Sequence, residues 1–174
     1  MTNRHISEAK MKNLIILRGN SGSGKTTVAK ELQRKFGRNT MLISQDVIRR
    51  DILYVKDTPQ NESIALMKTL LTYGYEHCQT VILEGILYAE RYQTLFEVAV
   101  ELYGASIFAY YFDLPFEETL KRHQTKSNHL EFGEEAMRRW WIDNDYSSNL
   151  DECRITQEKK LEDIVSEIYA KVTR

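Results

Sequence analysis

Gly19, four intervening residues and then Gly24-Lys25-Thr26 reproduce the spacing of a phosphate-binding P-loop. The chemistry that this spacing allows is specific. Gly22 and Gly24 permit backbone conformations that a Cβ would forbid, so the chain can come close to a polyphosphate. The N–H groups of the loop and of the helix after it then point at the anion. Lys25 would reach the β- and γ-phosphates of a nucleotide, and the Thr26 hydroxyl would ligate Mg²⁺. The stretch Gly19, Asn20, Ser21, Gly22, Ser23, Gly24, Lys25, Thr26 and Thr27 is therefore the candidate nucleotide site.

Asp46 and Arg49 form a second candidate pair, since residues three apart share a helix face. Two readings fit Asp46. A carboxylate beside a transferring phosphate accepts a hydroxyl proton or holds a water on Mg²⁺; the same residue at a helix start serves as an N-cap. The P-loop and Arg49 alongside favour the chemical reading, while Arg50 and Asp51 read as an ordinary solvated pair. Glu84 closes a third apolar run, where P-loop enzymes usually carry an Asp that organises Mg²⁺. Glu84 holds a metal-bound water from further back, binds an acceptor, or caps the next segment. Arg122 is followed four residues on by Lys126, either a pair of phosphate-binding cations or a solvated basic helix end.

The elements that must position these residues follow from apolar patterning. Leu14 to Leu17 reads as a buried strand feeding the loop, and Val28, Ala29, Leu32 and Phe36 mark one face of the next helix, which Gly37 ends. Further short strands are expected at Thr40 to Ser44, Val81 to Leu83 and Ser106 to Phe112, with a minimal fifth at Arg154 to Thr156. Helices are expected at 61–78, 90–103, 116–123, 133–143 and 158–172. Strands alternating with helices predict an α/β fold with one parallel sheet of about five strands covered on both faces. Residues 11–174 read as one domain, with a polar leader over residues 1–10.

The 174 residues carry a net charge of −1 with 28% charged side chains, so no global basic field marks a nucleic-acid binder. Cys78 and Cys153 fit no metal or redox spacing and read as reduced thiols of a cytoplasmic protein. No stretch is long and apolar enough to span a membrane as a helix.

Taken together, Gly19–Thr27, Asp46 with Arg49, and Arg122 with the loop after it resemble the small P-loop kinases of the nucleoside-monophosphate-kinase type. The nearest branch is that of chloramphenicol phosphotransferase, zeta toxins and polynucleotide 5′-kinases. The resemblance implies the three-layer P-loop kinase fold with a small lid, here at about 122–140. It implies ATP and Mg²⁺ as cofactors, Asp46 as general base and Arg49 as a holder of the acceptor. In such kinases two lid arginines four apart clamp the transferring phosphate; Arg122 matches the first and Lys126 replaces the second with a point charge. Arg138 or Arg139 is the candidate to substitute. The Arg138–Trp141 run reads as core and lid packing in preference to base stacking, and Arg154–Thr156 occupies the place of the loop that cradles adenine.

The function expected is transfer of the γ-phosphate of ATP to a hydroxyl of a small-molecule acceptor. A polynucleotide 5′-hydroxyl is the second acceptor class, disfavoured by the neutral charge. A nucleoside monophosphate stands lower still, because only Arg49 and a remote Arg91 offer themselves for a second phosphate. The contrasting class is a regulatory ATPase. A GTPase is disfavoured because the chain contains no Asn-Lys-x-Asp guanine motif. The acceptor and the oligomeric state are not written in the sequence.

Overall fold

The computed structural model describes residues 12–124 and 133–174. Five strands, β1 (Asn13–Gly19), β2 (Thr40–Ser44), β3 (Thr80–Glu84), β4 (Ile107–Phe112) and β5 (Glu152–Ile155), form one sheet in the order β2-β3-β1-β4-β5. Every neighbouring pair is parallel, with Leu14 opposite Val81 on one side and Ile107 on the other. Parallel strands need crossovers, and helices supply them: α1 (Lys25–Phe36), α2 (Glu62–His77), α3 (Gln93–Tyr103), α4 (Phe116–Gln124), α5 (Glu134–Trp140) and α6 (Leu161–Val172).

Strand alternation divides the core in two. Leu14 and Ile16 of β1 and Val81 and Leu83 of β3 pack under α2 and α3 with Met67, Leu71, Leu95 and Phe96. Ile15, Leu17 and Ile82 face the other way, against Val28 and Leu32 of α1 and Ile164 and Ile168 of α6. β1 is buried on both faces because it is the central strand, which explains its unbroken apolar run. The expected five-stranded parallel sheet with helices on both sides is the observed architecture.

The order of strands places β1 where the connections diverge, to β2 on one side and to β4 on the other. Open α/β sheets bind ligands at the carboxyl ends of strands beside such a point. The P-loop after β1, Gln45 and Asp46 after β2, and Glu84 at the end of β3 all lie there. The segment after β2 departs from the expected α-helical turn: Val47–Ile52 is a π-helix, closed by Leu53 N–H donating to Ile48 O at 3.0 Å. Such wide turns are rare and concentrate at functional sites. Among the described residues no helix is long and apolar enough to cross a membrane. The leader at residues 1–10 and Lys126 lie outside the described residues, as does part of the expected lid.

Candidate active site

The P-loop takes the conformation its glycines allow. Gly22 and Gly24 have φ of +80° and +101°, in the left-handed region that side chains disfavour. A Cβ on Gly22 would also stand 2.6 Å from the Thr119 carbonyl oxygen of α4, so this glycine lets the loop seat against the helix that carries Arg122. Helix α1 begins at Lys25 with no side-chain cap and no acidic residue in its first turn. Its N-terminal N–H groups and dipole are therefore directed to the loop, as anion binding requires. The buried Lys25 ammonium donates to Asn20 O at 2.8 Å and to Ser23 Oγ at 3.0 Å, folding across the loop. Arg122 donates to Ser23 O at 3.2 Å and pairs with Glu118, which holds its guanidinium over the P-loop. A cavity of about 470 Å³ opens beside it, bounded by Gly24, Thr27, Arg122 and residues 157–160. Arg154 is not part of that cavity; it lies over the Tyr146 ring at 4.3 Å, and the loop following it makes the wall instead.

Glu84 is almost wholly buried and accepts hydrogen bonds from Thr26 Oγ1 at 3.0 Å and from Ser44 Oγ. The ends of β2 and β3 and the first turn of α1 thus meet at one carboxylate. Hydroxyl and carboxylate oxygens are the hard donors that Mg²⁺ takes, usually through one or two carboxylates plus phosphate and water. No group of three or more His, Cys, Asp or Glu side chains placed to hold a metal ion occurs among the described residues. Of the P-loop residues, Thr26 is the one that bonds to Glu84.

Asp46 stands at the start of the π-helix, yet its side chain caps no backbone N–H. It pairs with Arg49 at 3.1 Å and lies 3.6 Å from Arg50 Nε. Arg50 was expected to pair with Asp51 in solvent; it lies instead beside Asp46, four residues back on the same helical face. Asp46, Arg49 and Arg50 line a cavity of about 560 Å³ that is also bounded by Ser21 of the P-loop. Across from them Tyr88 donates to Trp140 O at 2.6 Å, and Arg91 pairs with Asp57 at 3.1 Å under the Tyr88 ring. Burial, with the Asp57 charge adding to it, pushes the Tyr88 phenol up to about 12, so at neutral pH it is a hydrogen-bond donor and no base.

The matching family model, described as an AAA domain, spans residues 14–141. The chain belongs to this AAA domain family. No curated protein matches the sequence. Solved structures similar to this chain include the Mycobacterium tuberculosis APS kinase in complex with AMPPNP and APS, at 20% identity, TM-score 0.67, covering 94% of this chain and 99% of that one. A gluconokinase from Sinorhizobium meliloti 1021 matches at 16% identity, TM-score 0.66, covering 95% and 94%. Shikimate kinase from Acinetobacter baumannii, in complex with shikimate, matches at 18%, TM-score 0.61, covering 94% of each chain. These likenesses share the fold described above.

Several residues of this AAA domain's site give no local signal in the sequence. Arg18, immediately before the P-loop, is completely buried. It donates to both oxygens of Glu152 at 2.8 and 3.0 Å, to Asp145 O and Oδ2 at 3.0 and 3.1 Å, and to Leu87 O at 2.9 Å. Gln45 accepts from Leu87 N–H at 3.2 Å and donates to Tyr92 Oη at 2.6 Å, and Tyr92 donates to Asp57 at 2.7 Å. Asn20 exchanges two hydrogen bonds with the Ile142 backbone, so its side chain anchors the segment after α5. Arg138 and Arg139 part company: Arg138 pairs with Glu134 and covers Phe116, whereas Arg139 lines the larger cavity. Trp141 packs edge-on against Phe116, and Trp140 is half-exposed at the cavity wall.

Proposed function

We propose that the chain is an ATP-dependent phosphotransferase that moves the γ-phosphate of ATP to a hydroxyl of a small-molecule acceptor. The observation that carries this reading is the shared wall of the two halves of the site: the cavity holding Asp46 and Arg49 is bounded by Ser21 of the P-loop itself. A regulatory ATPase has no need of a second chamber opening on the phosphates. The kinases of similar fold support the reading by analogy of architecture.

The P-loop amides and Lys25 would bind the phosphates, with Arg122 above them. Thr26 and Glu84 are the residues that would hold Mg²⁺, with Asp46 the further carboxylate facing the acceptor side; when bound, the ion neutralises charge on the transferring phosphoryl group. The acceptor oxygen bonds to the γ-phosphorus as the bond to the β,γ-bridging oxygen breaks. ADP leaves with that oxygen, and the hydroxyl proton passes to the Asp46 carboxylate. Arg49 steadies Asp46 and the acceptor together. Most of the rate would come from positioning and electrostatics, since phosphoryl transfer asks for little covalent chemistry from the protein. The free thiols of Cys78 and Cys153 fit the cytoplasmic location we propose with it.

The test is ADP release from Mg·ATP against a panel of hydroxyl compounds and a 5′-hydroxyl oligonucleotide, with Asp46→Asn as control. Acceptor-dependent ADP, lost in Asp46→Asn while nucleotide binding persists, is the expected result. Slow ADP release that no acceptor alters would replace this reading with a regulatory ATPase, and a fully active Asp46→Asn would remove Asp46 as base.

A further inference from the structure

We propose that the acceptor carries an anionic group, a phosphate, sulfate or carboxylate, in addition to the hydroxyl that is phosphorylated; this rests on the phosphotransferase reading above. Among the described residues, the cavity that takes the acceptor is bounded by Arg49, Arg50, Lys56, Arg91 and Arg139, and by two carboxylates, Asp46 and Asp57. The chain as a whole has a net charge of −1, so this concentration of positive charge is local and not a consequence of composition. Gathering like charges around one concave space opposes folding, and such a space focuses its field on an incoming anion.

The pairing within the cavity does not exhaust the excess. Asp46 is shared between Arg49 and Arg50, and Asp57 is taken by Arg91. Lys56 and Arg139 are exposed and have no ion-pair partner among the described residues. The Arg49 Nε is buried and has no hydrogen-bond partner among the described residues. A bond left unmade at a buried charged donor is costly, and an anion's oxygen beside it would remove that cost. Planar guanidinium groups suit phosphate, sulfate and carboxylate because each offers two oxygens at matching spacing. Tyr88, Ile142 and Trp140 supply apolar surface for the acceptor's carbon body between the hydroxyl and the charged end. The sequence offered only Arg49 and a remote Arg91 for the phosphate of a nucleoside monophosphate; the fold brings both to one chamber with further cations.

The experiment has two arms on the full chain. In the first, ADP release is measured with acceptor pairs that differ only by an anionic group: nucleoside and nucleoside monophosphate, glycerol and glycerol phosphate, glucose and gluconate. Activity confined to anionic members supports the proposal; activity on neutral members at equal or greater kcat/KM overturns it; activity on the 5′-hydroxyl oligonucleotide with none on small anions upholds an anionic acceptor and overturns the small-molecule reading. The second arm decides even if no acceptor in the panel reacts. Inorganic phosphate is titrated by calorimetry into protein saturated with Mg·AMPPNP, so that the P-loop is occupied. Lys56→Gln and Arg139→Gln, both at exposed positions, should each weaken phosphate by roughly tenfold, as for loss of one charge-assisted contact. Arg34→Gln, on α1 and away from the cavity, should leave it unchanged. No phosphate binding, or binding indifferent to Lys56 and Arg139, overturns the anionic site; binding that depends on them without acceptor-dependent turnover upholds the site and fails the kinase reading.

Discussion

Replacing Arg18 by Met tests whether the buried ionic node beneath the P-loop holds the two halves of the site in place. The guanidinium is completely buried, and its partners Glu152 and Asp145 have side chains only 4% and 15% exposed. Truncation strands both carboxylates. Glu152 keeps one N–H, from Ser147 at 2.8 Å, and Asp145 keeps the Ala89 N–H at 3.0 Å. Removing one partner of a buried pair costs about 3–5 kcal/mol, because the remaining charge is left uncompensated. At about 2–4 °C per kcal/mol for a chain of this size, the melting temperature should fall by roughly 10 °C. Urea unfolding followed by far-UV circular dichroism reads the free energy directly. The triple variant Arg18→Met, Asp145→Asn, Glu152→Gln should recover most of the loss, since it leaves no unpaired charge. Arg18 also holds Leu87 O, so the segment bearing Tyr88 and Arg91 should loosen and the acceptor KM rise more than that for ATP. A loss below about 1 kcal/mol in the single variant, or no recovery in the triple one, would refute the node as described.

Three further outcomes are expected. Gly22→Ala, forced to a φ of +80° and to 2.6 Å from Thr119 O, should weaken nucleotide binding at least tenfold in a fluorescent-nucleotide titration; unchanged affinity would detach this glycine from the phosphates. Glu84→Gln keeps an acceptor for Thr26 or Ser44 and should fold, yet raise the Mg²⁺ concentration for half-maximal activity by about tenfold or more; an unchanged Mg²⁺ requirement would move Glu84 to a structural role. Tyr88→Phe removes the bond to Trp140 O and should raise the acceptor KM a few-fold. With the folded phenol near 12, Tyr88 stays protonated and bonded below that pH and loses the proton only above it, so the variant's activity profile between pH 7 and 10 should overlay the parent's; a lost alkaline limb in the variant would show that Tyr88 titrates in turnover.

How much of this was legible beforehand depends on the range of each interaction. The P-loop, the strand before it and helix α1 could be read because their determinants are contiguous: a strand period, three glycines with positive φ, and a lysine and threonine at set offsets. The parallel sheet was legible for a similar reason, since each strand is an apolar run and each crossover a helical period. Asp46 with Arg49 was visible as a three-residue spacing, but their turn proved π-helical, which no residue there announces. Glu84 could be named but its surroundings could not, because the hydroxyls bonded to it lie 58 and 40 residues away.

By itself the sequence determined a nucleotide site on an α/β scaffold, since local backbone conformation and hydrophobic period are encoded within a turn or a strand. The tertiary structure decided what faces that site. Arg49, Lys56, Arg91 and Arg139 converge on one cavity, and Arg18, Asp145 and Glu152 on one buried node, only because β1 sits between strands that the chain visits far apart in order. Charges that are solvated and independent along the chain become neighbours when the sheet is wound, and their chemistry belongs to that juxtaposition.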